Sequence, residues 1–593
     1  MSLKARNSGD VQLTCGVAGG VLSRTIAERV DVTRVSSADN SSASRLPAVT
    51  TSTSDGVRLP KIGERPGTQR KSMRGRKDVS QERRPTRRTA SSPLCNAAAA
   101  KAAGSEAHCT DASQQEKRRT RPSICTAFSK SSADALYLIA DSLGWSVHTH
   151  EREDSNLYWV VSADHMQQRI LKMKAGQTVA RVPGMHNFSN KCSFSRLLTL
   201  CQRLFPGSFE FYPQTWNLPE DMTRMQHALK GLEASKKAVI VKPDDGSQGD
   251  GIFISTSYED LMTRLNTLRF VSNVSASSLN NFVVQNYVSR PMLLLGKKFD
   301  LRVYVLIRSV EPLDVCVCRE GLSRFCTEPY SAPTNKNCNK VMGHLTNYSL
   351  NKQSTAFVKC TEENSGEARG GLFQAPGVSQ EGGSKRTLTH TFEQLRAAGV
   401  DTDMVWENIK QLVKHTCTVL QPFLKDASQQ IVHKREEREG SGGGGGPTLE
   451  EVLAGACVHL VGFDVMLDAG GKCYLLEINC SPRLGVDDVE PVSKEMAAAN
   501  VKDVCRCMDH ARPHVHKTCE IDRAVKSVAL GGALLLLSDR RRRQWGSSDV
   551  SPELAQHLKG MYDKVVGPSS PIRGRTSSLE RSRCVACKDA YIL

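Results

Sequence analysis

The middle of the chain combines two periods of apolar and polar positions, one typical of strands and one typical of helices. In "FDLRVYVLIR", residues 299–308, apolar and polar side chains alternate, which places them on opposite faces of a strand. In "MVWENIKQLVKHTCTVLQPFL", residues 404–424, apolar positions recur every three or four residues, as on one face of a helix. Such segments alternate from residue 133 onward, which predicts an α/β or α+β body.

Charge separates this body from the two ends of the chain. Residues 1–132 hold 24 basic and 11 acidic residues, a net of +13, and residues 539–593 hold 11 and 6, a net of +5. Because the whole chain carries +18, residues 133–538 are neutral overall. The first 132 residues are rich in Ser, Thr, Ala and Arg and poor in apolar residues, which predicts a disordered basic tail. Two basic tails indicate an acidic partner, whether nucleic acid, a membrane surface or an acidic protein.

Cysteines and the longest apolar run limit the class of protein further. Twenty cysteines are scattered without a regular framework, which favours reduced thiols in the cytosol. The run "VALGGALLLL", Val528 to Leu537, is half of the roughly 20 residues that a membrane span needs, so we expect a buried helix. Residues 360–383 and 427–448 have the Gly-rich, polar composition of surface insertions.

The first candidate for chemistry is a glycine-rich loop in "VIVKPDDGSQGDGIFI", residues 239–254. Lys242 ends a β-branched run, and Gly246, Gly249 and Gly251 bracket the loop that follows. Glycines let backbone N–H groups approach an anion closely, and a lysine can neutralise phosphate oxygens. The order of residues fits neither a Walker A loop nor a protein kinase. A hairpin with a glycine-rich tip and no ligand is the alternative.

The second candidate is a pair of strands, "LVGFDVMLD" and "CYLLEINC", separated by "AGG". If they form a hairpin, Asp464 and the pair Glu477 and Asn479 converge on one face. Two carboxylates and an amide oxygen suit Mg²⁺ carried by nucleotide phosphates. The alternative is a strand that runs into a turn formed by Asn, Ser and Pro.

Two further patterns leave their roles open. Lys298, Asp300 and Arg302 share one strand face, which indicates either a solvated row of charges or the wall of a charged cleft. The segment from Cys505 to Cys519 is rich in Cys and His, but its spacing matches no standard zinc pattern.

The ordered set of motifs resembles the tubulin tyrosine ligase-like family. The resemblance is carried by "VPGMHNFSNKCSF", "FEFYPQTWNLP", "KPDDGSQGDGIFI", "VVQNYVSRPMLLLGKKFDLRVYVL", "HLTNYSLNK", "GFDVMLD" and "YLLEINCSPRL". It covers about residues 137–485 and resumes at "EIDRAVKSVAL". The segments "REGLSRFCTEPYS" and "GSKRTLT" are most similar to the polyglutamylase branch.

The resemblance implies an ATP-grasp-like ligase core within residues 133–538. We expect three subdomains there, residues 133–231, 232–330 and 331–538, with insertions at 360–383, 427–448 and 486–518. Residues 539–593 are then a short basic C-terminal tail.

The family pattern also implies roles for individual residues. Catalytic roles fall on Arg302, Lys242 and Glu477. The metal would be Mg²⁺, held by Asp464, Glu477 and Asn479. The substrate glutamate would be bound by Arg324, Tyr348 and Lys385. ATP would be bound by Lys191, Lys242, Gln248, Gly249, Gln285, Asn286, Tyr287, Val288, Lys298, Phe299, Asp300, Thr346 and Asn347.

The activity implied is an ATP-dependent protein polyglutamylase that adds glutamate to glutamate side chains of tubulin tails through an acyl phosphate. Its partners would be free L-glutamate and the acidic C-terminal tails of tubulin in microtubules, with neither nucleic acid nor a membrane involved. The implied location is the cytoplasm and cytoskeleton, and more finely the basal body or axoneme of a cilium or flagellum. The alternatives are a glycylase, a glutamate ligase for another acidic protein, and a non-catalytic microtubule-binding scaffold.

Overall fold

The computed structural model describes residues 121–129, 133–232, 234–235, 237–244, 246, 249–271, 281–360, 372–374, 376, 378–439, 447–492 and 514–567. The helices are α1 (Ala133–Ser142), α2 (Ala163–Lys172), α3 (Lys191–Leu204), α4 (Met222–Leu229), α5 (Tyr258–Val271), α6 (Val341–His344), α7 (Tyr348–Asn351), α8 (Leu388–Ala397), α9 (Thr402–Glu439), α10 (Leu449–Glu451), α11 (Glu520–Trp545) and α12 (Pro552–Gly560). A 3₁₀ helix spans Met185–Ser189 and a π-helical turn spans Val452–Ala456.

The strands are β1 (Ser123–Phe128), β2 (Ser146–His148), β3 (Leu157–Val160), β4 (Thr178–Val179), β5 (Thr215–Leu218), β6 (Val239–Pro243), β7 (Phe253–Ser255), β8 (Phe282–Asn286), β9 (Leu293–Leu294), β10 (Lys297–Ser309), β11 (Asp314–Phe325), β12 (Lys385–Thr387), β13 (His459–Leu467), β14 (Cys473–Asn479), β15 (Asp487–Pro491), β16 (His514–Thr518) and β17 (Tyr562–Val566). The mixed helix and strand composition confirms the predicted fold class.

The centre of the fold is a seven-stranded sheet with the strand order β12-β11-β10-β13-β14. All neighbours in this path are antiparallel. Strand β11 is long enough to pair with β12 at one end and with β17 at the other, and β9 pairs with the start of β10. The hairpin predicted between β13 and β14 is present.

One face of this sheet is packed along the whole of β10, and the other face is packed along only half of it. Its odd-numbered residues from Phe299 to Ile307 belong to a hydrophobic core that also contains the buried face of α9. On the other face, Tyr304 and Leu306 pack in a second core with the apolar side of α11. The even-numbered residues before Tyr304 are charged, so one half of that face is left for a polar site.

Two smaller sheets and a hairpin surround the central sheet. A parallel sheet has the order β2-β1-β3-β4, and a four-stranded antiparallel sheet has the order β5-β8-β6-β7. Strands β15 and β16 form an antiparallel pair of their own. The loop between β6 and β7 is the glycine-rich loop of the sequence analysis.

The structure corrects the predicted start of the folded body. Residues 123–128 were assigned to the basic tail, yet they form β1, an interior strand of the parallel sheet. The side chains of Ile124 and Cys125 are fully buried. Because the residues around this six-residue strand are polar and basic, the composition of the segment does not indicate a strand. The rest of the predicted disordered tail, apart from Arg121 to Ser129, lies outside the described residues.

The predicted C-terminal tail is also corrected, because its first part is folded. Helix α11 continues to Trp545, whose indole packs edge to face on Trp145. Strand β17 then pairs with β11. These contacts are made with residues distant in sequence, which the net charge of the segment does not reveal. Residues 568–593 lie outside the described part.

The internal boundaries differ from the prediction in a similar way. Strands β10 and β11 were assigned to a central subdomain ending at residue 330, but they form one sheet with β13 and β14. Helix α9 continues to residue 439, so the first half of the predicted insertion 427–448 is helical. The ends of the predicted insertion 486–518 form β15 and β16, and its middle lies outside the described residues.

One other prediction is confirmed. The run from Val528 to Leu537 lies in α11, where nearly all of its side chains are buried. All described cysteines are free thiols, and most are buried. Among the described residues, no helix has both the length and the apolarity needed to cross a membrane.

We predict that Tyr562, in the segment assigned to the tail, contributes strongly to stability. Its ring is 8% exposed and packs against Gly532, and its hydroxyl donates to the Ala529 carbonyl oxygen at 2.6 Å. Tyr562→Ala should lower the free energy of unfolding by about 3–5 kcal/mol, and Tyr562→Phe by about 1 kcal/mol. Urea denaturation measures both. Wild-type stability in the alanine variant would show that β17 is dispensable.

Candidate active site

The site is built from charged residues on one face of the central sheet. Residues that pair across antiparallel strands point to the same face. The register pairs Arg302 of β10 with Asp464 of β13, and Asp464 with Glu477 of β14. It also pairs Asp300 of β10 with Arg324 of β11. The sequence predicted the charged face of β10 and the shared face of Asp464, Glu477 and Asn479, and the register adds Arg324 of β11 beside them.

Asp464 is the centre of this row. Both of its oxygens face Arg302, with Nη2 to Oδ2 at 3.0 Å, and Arg324 Nη2 donates to Oδ2 at 2.8 Å. Arg324 also donates from Nε to Asp300 at 2.9 Å. Although burial opposes ionisation, the two guanidinium groups hold the pKa of Asp464 well below its usual range. The carboxylate is therefore ionised at neutral pH.

Glu477 and Asn479 are placed beside Asp464 by a β-bulge. Asp464 pairs with Glu477, whereas the next residue of β13, Val465, pairs with Leu475, so Leu476 is the extra residue. Asn479 Nδ2 lies 3.3 Å from Asp464 Oδ2 and 3.3 Å from Glu477 Oε1. The predicted trio is thus brought together around one point.

Two buried lysines face the same cleft from strands of two different sheets, Lys242 on β6 and Lys298 on β10. Lys242 Nζ donates to Gln285 Oε1 at 2.9 Å. Lys298 Nζ donates to the Tyr287 hydroxyl at 2.8 Å and to the His344 carbonyl oxygen at 2.9 Å. Burial lowers the pKa of each lysine to about 8. Buried ammonium groups with neutral partners remain available to an anion.

The glycine-rich loop is held near Lys242 by Lys191. Lys191 Nζ donates to the carbonyl oxygen of Gly246 and lies 3.3 Å from that of Asp244. Gly249 has φ +95°, and a Cβ there would lie 2.6 Å from Leu350 Cδ1. A side chain is therefore excluded on both backbone and steric grounds. Gln248, predicted to bind nucleotide, lies outside the described residues.

Most of these side chains line a single cleft, and Arg302 and Asn479 are not part of its lining. Its lining includes most residues predicted to bind ATP or metal, namely Lys242, Gln285, Asn286, Tyr287, Val288, Lys298, Asp300, Thr346, Asn347, Asp464 and Glu477. Pro213, Ile240, Ile252 and Met466 add apolar surface. Lys191 lines a smaller adjoining cavity together with Lys242 and Glu477.

Phe299 is not part of this cleft. It lies on the opposite face of β10, 1% exposed, with its ring stacked on Phe325 at 5.1 Å. The residues on either side of it face the cleft, so alternation along the strand turns Phe299 into the core. Its predicted role in nucleotide binding is therefore not supported by its position.

The three residues predicted to bind glutamate are divided between two neighbouring clefts. Arg324 lines the first cleft. Tyr348 and Lys385 line a second cleft of about 540 Å³, with Asp488 and the start of α11. Lys385 is paired with Arg324 across β11 and β12, so the two cations lie on adjacent strands and the same face.

Several residues of the site were missed by sequence reasoning. Asp522 accepts a hydrogen bond from Lys385 Nζ at 2.7 Å, and Asp488 accepts one from the Tyr348 hydroxyl at 2.9 Å. His344 contacts the Tyr287 hydroxyl through Nδ1 at 3.1 Å. A signal existed for Asp522, because an Asp and a Lys four residues apart are unusual on a mainly apolar helix.

The Cys and His segment from Cys505 to Cys519 is described only from residue 514 onward. His514 and His516 lie with their Nε2 atoms 3.1 Å apart. Among the described residues, no group of three or more His, Cys, Asp or Glu side chains is arranged to hold a metal ion. Cys505, Cys507 and His510 lie outside the described part.

Comparison with known proteins assigns a family to this architecture. Residues 169–438 match the model of the tubulin-tyrosine ligase family. The predicted resemblance to this family, on its polyglutamylase branch, is confirmed, and this region is a tubulin-tyrosine ligase domain. The match ends before Asp464, Glu477, Asn479 and Asp522.

Individual relatives are named as tubulin polyglutamylases. The chain is 33% identical over 399 residues to tubulin polyglutamylase TTLL11 of Mus musculus, covering 64% of this chain and 48% of the relative. It is 31% identical over 474 residues to TTLL11 of Homo sapiens, covering 76% and 59%. It is 30% identical over 372 residues to tubulin polyglutamylase TTLL6 of Mus musculus, covering 63% and 39%. The chain thus spans about half the length of these curated relatives.

The lowered pKa of Lys242 predicts a pH-dependent effect on stability. The folded protein releases this proton near pH 8, whereas the unfolded chain keeps it to about pH 10.4. The unfolded state therefore binds more protons in this interval, and the contribution of Lys242 to stability rises with pH, by at most about 1.4 kcal/mol per pH unit.

Lys242→Met should consequently be at least as stable as the wild type at pH 7 and lose that advantage between pH 8 and 10. Urea denaturation at several pH values measures the difference in the free energy of unfolding between the variant and the wild type. The titration of other groups contributes equally to both proteins and cancels in this difference. Lys230→Met, at an exposed position, is the control and should show no such trend. A pH-independent difference for Lys242→Met would contradict the assignment of a buried, protonated ammonium.

Proposed function

We propose that this chain is an ATP-dependent ligase that joins free glutamate to glutamate side chains of tubulin tails. The observation that carries the proposal is the convergence of Lys242, Lys298, Asp464 and Glu477 on one cleft. A site that activates a carboxylate with ATP has two requirements. It needs cations that neutralise the phosphates, and it needs carboxylates that hold a metal ion. The names of the relatives support the choice of tubulin and glutamate.

The nucleotide is proposed to occupy the first cleft. Lys242 and Lys298 would neutralise phosphate oxygens, with Gly249 and Lys191 at the glycine-rich loop. The segment from Gln285 to Val288, at the end of β8, would contact adenine, where Ile240 and Met466 supply apolar surface. Thr346 and Asn347 line the same cleft and would lie near the ribose and phosphates.

The donor set fits Mg²⁺. Asp464 and Glu477 offer hard oxygen ligands, and Asn479 lies within 3.3 Å of both, with an amide oxygen as the third ligand once the amide is turned. When bound, the metal would act as a Lewis acid on the phosphates.

The reaction then has two steps. The γ-phosphoryl group of ATP passes to the side-chain carboxylate of the acceptor glutamate, giving an acyl phosphate and ADP. The amine of free glutamate, after losing a proton from its ammonium form, attacks the acyl carbon, and phosphate leaves as the isopeptide bond forms. Arg302 lies in the same row as the metal carboxylates and would hold the acceptor carboxylate and, with Lys242, stabilise the transferred phosphoryl group.

The donor glutamate is proposed to lie where the two clefts meet. Lys385 and Tyr348 line the second cleft, and Arg324, on the neighbouring strand, faces the first. Two cations suit the two carboxylates of glutamate better than the single carboxylate of glycine or tyrosine.

The polypeptide partner and the location follow from the same proposal. Acidic tubulin tails would be attracted by the basic charge of residues 1–132. Action on tubulin implies association with the cytoskeleton, with the cilium as a finer possibility to test by imaging the tagged chain.

We predict that Glu477→Gln abolishes ligation with little change in fold. The substitution removes one negative charge from the metal site and preserves its shape. Loss of metal-assisted charge stabilisation should lower turnover at least about a hundredfold. The measurement is incorporation of labelled glutamate into tubulin, with thermal unfolding to check the fold.

Glu450→Gln is the matched control, because Glu450 is exposed and lines neither of the two clefts. It should retain normal turnover. A folded Glu477→Gln enzyme with turnover near that of the wild type would refute the metal assignment.

Donor choice gives a separate prediction. With ATP and tubulin, the wild-type protein should incorporate glutamate, whereas glycine and tyrosine should remain at background. A donor with one carboxylate forms one charge-assisted hydrogen bond fewer with Arg324 and Lys385 and should therefore bind more weakly. Each labelled amino acid is tested in turn, with reactions lacking ATP as blanks. Efficient glycine transfer would favour a glycylase and leave the ligase proposal in place, and no ATP-dependent transfer would favour a binding scaffold.

A further inference from the structure

A cluster of three buried charges lies at the start of α11. Lys385, Asp522 and Lys526 are 7%, 7% and 4% exposed. Asp522 accepts from Lys385 Nζ at 2.7 Å through Oδ2 and from Lys526 Nζ at 3.1 Å through Oδ1. Lys526 also donates to the Gly485 carbonyl oxygen at 2.6 Å. One carboxylate thus serves two buried ammonium groups.

The cluster lies directly behind the second cleft. Lys385 is part of the lining, and its ammonium lies 4.2 Å from the centre of the Tyr348 ring. Asp522 is absent from the lining, although its neighbours Cys519, Glu520 and Ile521 belong to it. Asp522 therefore touches the cleft only through Lys385.

We propose that Asp522 is a positioning residue that fixes the Lys385 ammonium against Tyr348, where it receives a carboxylate of the donor amino acid. This inference rests on the proposed function, in which Lys385 contacts the donor. A free lysine side chain loses considerable rotamer entropy when it binds a ligand. A fixed ion pair removes most of that cost before the donor arrives.

Asp522 also keeps Lys385 charged. Burial by itself would lower the pKa of Lys385, but Asp522, followed by Cys519, Tyr348 and Asp488, holds this pKa well above its ordinary value. Lys526 shows the opposite outcome in the same cluster, since burial lowers its pKa despite Asp522.

The test is Asp522→Asn, which keeps the shape and removes the charge. We expect the KM for glutamate to rise at least about tenfold, as for loss of a charged hydrogen bond, while the affinity for a fluorescent ATP analogue is unchanged. The KM of the variant should rise further as the pH is raised from 7 to 9, because burial then lowers the pKa of Lys385 without the opposing carboxylate of Asp522. The wild-type KM should stay flat over the same interval. The charged or titratable groups near Lys385 are Asp522, Lys526, Tyr348, Asp488, Cys519, Cys360 and Tyr304.

Lys526→Met is the matched control, since it breaks the other ion pair of Asp522 and leaves the pair with Lys385. It should lower the melting temperature comparably without raising the glutamate KM. Asp522→Glu keeps the carboxylate and should retain most of the affinity for glutamate. This variant tests the role of the charge even if Asp522→Asn folds poorly.

Three results would contradict the role of Asp522, and only the last of them would also contradict the proposed function. Equal rises in KM for Asp522→Asn and Lys526→Met, in step with lost stability, would assign Asp522 a structural role and overturn the inference. An unchanged KM in Asp522→Asn, with an active wild type, would overturn the inference alone. A wild-type protein that transfers no glutamate would overturn the proposed function and the inference with it.

Discussion

The carboxylate of Asp464, held between the guanidinium groups of Arg302 and Arg324, is the interaction on which the candidate site depends. The three side chains come from adjacent strands, so their contact requires one register across β11, β10 and β13. A slip of one residue in any strand would turn its charge to the opposite face. There it would be buried among apolar side chains, at a cost of several kcal/mol per unpaired charge. The site and the sheet register therefore stabilise each other.

One face of the central sheet is packed in a core at one end and lines the cleft at the other. Helix α11 covers the packed half, and its first turn lies at the border between the two halves. Along β10, the even-numbered residues change from charged at Asp300 and Arg302 to Tyr304 and Leu306, which pack in the core of α11. The apolar side of this helix covers that half of the face. Its first turn, at the border, supplies Asp522 to Lys385. One helix thus completes the core and supports the second cleft.

The features that could be predicted from the sequence are those that depend on local period. Alternation identified the charged face of β10 and the convergence of Asp464 with Glu477, and the structure places both as expected. Phe299 was taken into the nucleotide site from a motif, although alternation turns it into the core. Strands β1 and β17 were missed because their pairing is with distant segments and their surroundings are basic. Asp522 was missed because its partner Lys385 lies 137 residues away in sequence.

The arginines that stabilise Asp464 retain further capacity to bind anions. Arg302 uses Nε and Nη2 on Asp464, and Arg324 uses the same two nitrogens on Asp300 and Asp464. Within the described part of the chain, the Nη1 group of each has no hydrogen-bond partner. Since a guanidinium group carries five N–H donors, each side chain can neutralise its carboxylate and still donate to a phosphate or a second carboxylate. Stability of the ionised row and attraction of an anionic substrate therefore come from the same two residues.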